Sequence, residues 1–342
     1  MTLPAAQAAE PRPSRRRWWL RLLIWLVVGL LLWLTARQVD WDGLRQVLAG
    51  LSLAELALIV VVNSGVLLAL SSRWWLVVRA QGGRVPYGWL SLYRLAGFAV
   101  SYFTPGPQFG GEPLLVQLLH RRHGLAGATA AASVALDKAL ELVVNFGFLL
   151  FGLVVVQRLG LLPGPLVTTL LVVAAGLLSL PLAYLLAAAR GGRPLGWLLR
   201  WLPARVRGWP SWGRWQDWLA DLEVSAASVF AQKPGWLVGA LLASALTWAL
   251  LIVEYWLMAQ FLGLALGPLA AIAVLTAARV AILLPLPGGL GTLEASQVWA
   301  LGALGYPAEA GLALALVIRG RDLLFGGVGL LAGGLLLERP KD

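Results

Sequence analysis

Long apolar runs separated by short polar segments dominate the hydrophobic pattern of the chain. The runs lie at 18–36, 53–78, 88–120, 125–157, 163–189, 236–262, 268–304 and 308–337. About 20 apolar residues suffice for a helix to cross a bilayer, so most of these runs are long enough for one crossing. The pattern predicts an all-α polytopic membrane protein.

Two of the runs are interrupted by Pro and Gly. The run 88–120 is broken at Thr104–Pro107, and the run 268–304 is broken at Pro285–Gly289. An unbroken helix over either run would be about 50 Å long, whereas one crossing needs only ~30 Å. Each run is therefore interpreted as two half-helices, arranged either as a broken span or as a re-entrant hairpin that returns to its starting side.

The distribution of Lys and Arg favours the hairpins. If the basic N-terminus, residues 1–17, is cytoplasmic, two hairpins keep the basic segment 190–234 in the cytoplasm as well, whereas two single crossings would place it outside. Basic loops tend to remain on the cytoplasmic side of a membrane. The sequence thus predicts about six full spans plus two re-entrant segments, with the N- and C-termini in the cytoplasm.

The hairpins divide the chain into two predicted repeats of inverted topology. Unit one covers 53–157, unit two covers 236–337, and the transmembrane helices at 18–36 and 163–189 are additions to them. Each unit consists of a span, a hairpin and a second span, and the two units run in opposite directions.

The two breaks also match in detail. Glu112 follows Pro105 by seven residues, and Glu294 follows Pro287 by the same number. The equal spacing indicates that the breaks are equivalent parts of the two repeats.

Composition agrees with a membrane protein and excludes several other classes. Hydrophobic residues make up 59% of the chain and charged residues 13%, whereas soluble domains carry about 45–50% and about 25%. Without Cys, disulfides and Cys-bound metals are excluded, and His120 and His123 have no further ligands beside them. The net charge of +11 is attributed to basic residues next to spans, so nucleic acid is not an expected partner.

The segment 190–234 interleaves Trp with Arg. Indole rings favour the headgroup region of a bilayer, and guanidinium groups bind lipid phosphate. We predict that this segment lies on the cytoplasmic leaflet with anionic lipid as its partner. A gate or a docking surface for another protein is the alternative.

Non-helical backbone at membrane depth is tolerated only where protein or a water-filled cavity surrounds it. Two opposed breaks therefore predict a shared polar cavity near the membrane midplane, as in secondary transporters. The N-terminus of the half-helix after each break carries free N–H groups and the positive end of the helix dipole, which suit a phosphate.

Ionisable residues within the spans are the next candidates, because an unpaired charge at the bilayer centre costs at least about 2.5–3.5 kcal/mol. Glu254, within the run 236–262, is one of them. The predicted substrate-binding set consists of the break residues and the charged residues near them: Arg94, Pro105, Gly106, Gly110, Gly111, Glu112, Asp137, Lys138, Glu141, Arg279, Pro287, Gly288, Gly289, Gly291, Glu294, Arg319, Arg321 and Asp322.

Within this set, Arg94, Arg279 and Arg319 are expected to contact an anionic headgroup, because a planar guanidinium binds phosphate in a bidentate manner. On the last span of each unit an acid and a base are adjacent: Asp137 with Lys138, and Asp322 with Arg321. As an alternative to contacting the headgroup, each of these is a structural ion pair. Glu112 and Glu294 either cap their half-helices or bind a proton or cation. Because no nucleophile–base pair, nucleotide-binding loop or metal motif appears in the sequence, no enzyme activity and no cofactor are predicted.

The chain resembles the transmembrane region of the lysylphosphatidylglycerol synthase/flippase family over most of its length. The resemblance rests on Gly110–Glu112 with Gly124 downstream, on Leu136–Lys138, on Leu284–Glu294 and on Arg319. The family often has a basic residue shortly after its Gly-Gly-acid motif, where this chain has Leu115–Gln117.

The resemblance implies a flippase-type transporter of the bacterial or archaeal plasma membrane. Its substrate would be an anionic or phosphate-containing lipid or lipid-linked headgroup. The chain ends at Asp342 without the soluble aminoacyl transferase domain of the fused synthases, so the resemblance implies translocation without synthesis. Two alternatives are a proton-coupled transporter of a small soluble anion and a non-transporting subunit that anchors a lipid-modifying transferase.

Overall fold

The computed structural model describes residues 41–103, 110–201, 212–232, 235–284, 286 and 289–338. These residues form helices and no strands, so the predicted all-α polytopic class is confirmed. The predicted helix at 18–36 lies outside the described residues, as do Pro105, Gly106, Pro287 and Gly288.

Twelve helices are formed by the described residues. They are α1 Trp41–Ala49, α2 Leu53–Ala80, α3 Tyr87–Phe103, α4 Glu112–His123, α5 Gly127–Arg158, α6 Gly164–Ala189, α7 Pro194–Leu199, α8 Trp212–Gln232, α9 Gly235–Phe261, α10 Pro268–Ile282, α11 Thr292–Ala303 and α12 Ala308–Glu338. Four of these, α2, α5, α6 and α9, are long and apolar enough to cross a membrane. Helix α12 has 31 residues and is as long as a span, but it carries several charges.

Helices α3 and α4 form the first predicted hairpin. The Tyr93 hydroxyl lies 2.9 Å from His123 Nε2 at the far end of α4, and the Gly111 N–H donates to Ser101 Oγ near the tip at 2.9 Å. A Cβ on Gly111 would lie only 2.2 Å from the Gly97 carbonyl oxygen, so glycine is required for the two backbones to meet. These contacts show that α3 and α4 run antiparallel.

Helices α10 and α11 form the second hairpin in the same way. Gln297 Nε2 donates to the Val274 carbonyl at 3.5 Å. At the tip, Gly291 has φ +78°, a conformation that favours glycine, and its N–H donates to Glu294 Oε2 at 2.8 Å. The chain can therefore reverse at the tip and start α11 at once.

The first helices of the two units, α2 and α9, pack antiparallel. Asn63 in the first half of α2 donates to Glu254 in the last third of α9 at 3.0 Å. Near the other end, Leu76 lies 2.9 Å from the position that a Cβ of Gly239 would take. Each hairpin follows directly after its unit's first helix, so the two hairpins begin at opposite ends of the bundle. The structure thus has the inverted repeats predicted from charge.

The last helix of each unit packs on the hairpin of the other unit. Helix α5 contacts α10, and α12 contacts α3. Both contacts pass through glycine, since a Cβ on Gly152 would lie 2.0 Å from Thr276 Oγ1, and one on Gly329 would lie 2.3 Å from the Leu95 carbonyl oxygen. This exchange of partners interlocks the two repeats.

Helices α7 and α8 lie in the segment 190–234, which the sequence pattern treated as a polar connection. Helix α8 packs on α5, α6 and α2. Its buried apolar residues are Leu222, Ala226 and Val229, at helical spacing and confined to the second half of the helix. Because that apolar stripe is short, the hydrophobic pattern did not reveal the helix.

Replacing Gly329 with Ala should destabilise the protein by about 1–3 kcal/mol, because the new methyl overlaps the backbone of α3. The measurement is the thermal unfolding midpoint in detergent. Gly327→Ala is the matched control on the same helix, since a Cβ there meets nothing within 4 Å. Equal unfolding midpoints for the two variants would contradict the close packing of α12 on α3.

Candidate functional site

A cavity of about 320 Å³ lies between the two repeats. Helices α2, α3, α4 and α5 line it from unit one, and α9, α10, α11 and α12 line it from unit two. Gly111 and Gly289, each from the tip region of one hairpin, both reach it. Described residues next to both breaks therefore line one shared cavity.

The cavity wall carries more basic than acidic side chains among the described residues. The five basic side chains are Arg73, Arg94, Lys138, Arg279 and Arg321, and the four acidic ones are Glu112, Asp137, Glu141 and Asp322. Behind this wall, Arg319, Glu254 and Glu294 complete the charged set. The set as a whole contains six basic and six acidic side chains among the described residues and is therefore electrically balanced.

Asp137 joins two arginines in unit one. Its Oδ1 lies 2.8 Å from Arg73 Nε, and its Oδ2 lies 2.5 Å from Arg94 Nη2. The carboxylate is 7% exposed, so it must be paired to remain charged. The buried Asp137 carboxylate is thereby shared between one arginine of α2 and one arginine of α3.

Lys138 does not pair with Asp137, although the two are adjacent in sequence. Successive helical residues point about 100° apart, and Lys138 Nζ lies 3.0 Å from Glu141 and 3.5 Å from Glu112 instead. The alternative of an Asp137–Lys138 ion pair is therefore wrong. The adjacent Arg321 and Asp322, by contrast, are paired at 2.8 Å.

Arg73 is a central residue that the sequence analysis missed. It is 2% exposed and reaches Asp137, Glu141 at 3.3 Å and Ser244 at 3.5 Å. It lies near the end of an apolar run, beside Trp74, where a basic residue is typical of a membrane interface. Only a search for acidic partners at matching depth on another helix could have found it.

Arg319 is held within the protein by all three nitrogens of its guanidinium. Its Nε donates to Glu294 Oε1 at 2.8 Å, its Nη2 to the Gly289 carbonyl at 2.7 Å, and its Nη1 to the Tyr102 hydroxyl at 3.2 Å. It is not among the residues that line the cavity. Arg319 thus ties the tip of the second hairpin to α3 of the other unit.

The two break acids make equivalent contacts. Glu294 pairs with Arg319, and Glu112 pairs with Lys138, so each acid binds a base on the last helix of its own unit. Each acid also accepts a backbone N–H of its own hairpin at 2.8 Å, from Gly291 or Gly110. The capping alternative is therefore realised for Glu294, which binds the N-cap residue of its half-helix. Glu112 instead binds Gly110, one residue before the N-cap of its half-helix. Neither of these two N–H groups is free for a phosphate.

Glu254 lies at the interface of three helices and is 0% exposed. Its Oε2 lies 2.7 Å from Arg321 Nη1, and its Oε1 accepts from Asn63 at 3.0 Å. Arg321 therefore has two acidic partners, Glu254 and Asp322. The sequence marked Glu254 as an ionisable residue within a span but could not identify these partners.

Arg279 differs from the other arginines of the cavity. It forms no hydrogen bond or ion pair with a described residue. It lies over the Trp248 ring at 4.9 Å from the centroid, and Trp248 is stacked on Phe148 with centroids 3.9 Å apart. The contact with the aromatic stack holds the guanidinium group at the cavity wall and leaves its N–H donors for a ligand in the cavity.

The chain matches the family model described as the lysylphosphatidylglycerol synthase TM region over residues 18–329. No curated protein sequence gives a significant match to the chain. The matched range contains both hairpins and every charged residue of the cavity.

Replacing Asp137 with Asn should destabilise the protein by about 3–5 kcal/mol, because Arg73 and Arg94 would lose the anion that they share. Thermal unfolding in detergent and the yield of monodisperse protein measure this. Adding Arg94→Gln to the variant should recover part of the loss by removing one uncompensated charge.

The matched control is Asp42→Asn. Asp42 lies 3.8 Å from Arg45, with both side chains more than four-fifths exposed to solvent, and exposed ion pairs contribute little to stability. An Asp137→Asn variant as stable as Asp42→Asn would contradict a structural role for the buried pairs.

Proposed function

Because the chain belongs to the lysylphosphatidylglycerol synthase TM region family, we propose that it moves a phosphate-containing lipid or lipid-linked headgroup between the leaflets of the plasma membrane. The family and the apolar helices establish a membrane protein. The further proposal that this membrane protein moves lipid rests on the cavity between the two repeats.

The observation that carries the proposal is the position of Arg279. Arg279 lines the cavity, and its donors have no acceptor among the described residues. Arg279 is half-buried and has no ion-pair partner among the described residues. A cation in that position is costly, and a phosphate with two oxygens in bidentate contact would offset the cost. Arg94 supports the same site, since its buried Nε has no acceptor either.

The cavity combines this charged region with apolar walls. Phe98, Leu115, Leu286 and Phe325 line it together with the ionic residues. A volume of about 320 Å³ is at the small end of the range of ligand pockets. It suits a headgroup whose hydrocarbon chains remain in the bilayer.

The interlocked repeats supply a route for alternating access. Hairpin transporters move one repeat against the other around a fixed central site. Here the contacts that would change between states are bonds between the units, of which Arg319–Tyr102 and Asn63–Glu254 are examples. The ion pairs within each unit would move as rigid parts.

Arg279→Gln should lower the rate of lipid transfer about 10- to 100-fold, because charge-assisted hydrogen bonds contribute about 1.5–3 kcal/mol each. Purified protein in liposomes, with a labelled anionic lipid in one leaflet, provides the measurement. The transfer rate of Arg279→Lys should lie between those of the unsubstituted protein and Arg279→Gln, since an ammonium keeps the charge but lacks the planar geometry of a guanidinium. The unfolding midpoint should change little, because Arg279 forms no hydrogen bond or ion pair with a described residue and loses only its contact with the Trp248 ring.

The control is Arg45→Gln on α1, a side chain that is 84% exposed. Transfer no faster than in empty liposomes across a broad lipid panel would contradict the proposal. Uptake of a soluble anion, lost in Arg279→Gln, would assign the cavity to a small-anion transporter. Loss of function on deletion of the segment 190–234, with little effect of substitutions at Arg279 and Glu294, would indicate an anchoring subunit.

A further inference from the structure

Helices α7 and α8 form a surface at one end of the helix bundle, which we call the Trp–Arg surface. Helix α8 packs across the end of α2 and the start of α5. Gln81, just after α2, donates to Ser225 at 3.3 Å, and Trp218 Nε1 lies 3.9 Å from the position of a Cβ on Gly127, the first residue of α5. Helix α8 therefore lies over helix ends, where the surface of a bilayer would be.

Basic side chains are concentrated at this end. The exposed ones are Arg79, Arg84, Arg121, Arg190, Arg193, Arg200 and Arg214. The exposed acids of α8 are Asp217 and Asp221. Positive charge thus clearly exceeds negative charge among the described residues of this end.

Large aromatic side chains are exposed beside these arginines. Trp201 is 73% exposed, Trp197 is 59% exposed and Trp215 is 57% exposed. The rings of Trp197 and Trp201 lie edge to face at 5.9 Å. Exposed indoles interleaved with Arg match the composition of a bilayer interface rather than that of a soluble surface.

A buried acid fixes the geometry of this surface. Glu223 on α8 is 3% exposed and accepts the backbone N–H of Leu195 at 2.6 Å and that of Gly196 at 3.3 Å. These bonds attach the first turn of α7 to α8. The Trp and Arg side chains are therefore presented on a preformed scaffold.

We propose that the Trp–Arg surface binds the headgroups of anionic lipids in the adjacent leaflet. The arginines contact lipid phosphates, and the indoles lie at the level of the headgroups. Charge complementarity, the exposed indoles and the position over the helix ends all favour a lipid surface over a soluble protein. The proposal concerns binding alone and does not depend on whether the protein moves lipid.

The test uses the absence of Cys from the chain. A single Cys at Leu198, which is 60% exposed between Trp197 and Trp201, is labelled with an environment-sensitive fluorophore. The protein is placed in nanodiscs of phosphatidylcholine with increasing phosphatidylglycerol. The emission should shift to shorter wavelength as the anionic lipid increases, and added salt should reverse the shift.

The matched variant replaces Arg190, Arg193 and Arg200 with Gln. Each Arg near an anionic surface strengthens binding roughly fivefold, so the three substitutions together should weaken binding about 100-fold and the variant should show little shift over the same range of phosphatidylglycerol. A fluorophore at Gln157, at the opposite end of the bundle, is the control and should not respond. All of these readouts are independent of transport.

Three results would overturn the proposal. One is an identical emission at Leu198 in neutral and anionic nanodiscs. Another is a shift that salt and the three Gln substitutions leave unchanged, or that Gln157 shows equally. The third is a shift that appears only when an acidic soluble protein is added, which would assign the surface to a protein partner.

Discussion

Burial of charge in an apolar helix bundle is the constraint on which this structure depends. Moving an ionised side chain out of water costs several kcal/mol, and the cost is recovered only where a partner of opposite charge is in good geometry. Asp137 between Arg73 and Arg94, and Arg319 against Glu294, meet this condition. Because the partners come from different helices, satisfying them fixes how the helices pack.

The same constraint explains which parts of the structure the sequence could predict. The apolar runs, the Pro-Gly breaks and the sidedness of basic residues are properties of single segments. They were enough to predict the long apolar helices, the hairpins and the opposite directions of the two units, but not the short helices α1 and α7 or the amphipathic helix α8. Which residues form an ion pair, by contrast, depends on two segments and on how they pack against each other. For that reason Arg73 was missed and Lys138 was assigned a wrong partner as one alternative, although both contacts are simple ion pairs.

The candidate site was predictable to a similar extent. The break acids and the span charges surround one cavity, as their positions indicated, but their individual roles depend on contacts that a sequence does not display. Arg94, Arg279 and Arg319 were equivalent candidates for a headgroup contact. The structure separates them, because Arg319 is fully occupied by Glu294, Gly289 and Tyr102, whereas Arg279 has only an aromatic platform. Most charged side chains of the network are paired with one another. Arg279 has no ion-pair partner among the described residues, so it is the side chain that a bound ligand would affect most.

The reciprocal packing of the repeats has a consequence for how the protein is made. Helix α3 is synthesised early, but its glycine contact is with α12, the last of the described helices to leave the ribosome. The first hairpin must therefore wait in the membrane, with its close-packing surface uncovered, until the second unit has been inserted. Such contacts between distant parts of a chain form late and slowly. The interval between insertion of the first hairpin and arrival of α12 is thus the period in which this chain is most exposed to misassembly and to membrane quality control.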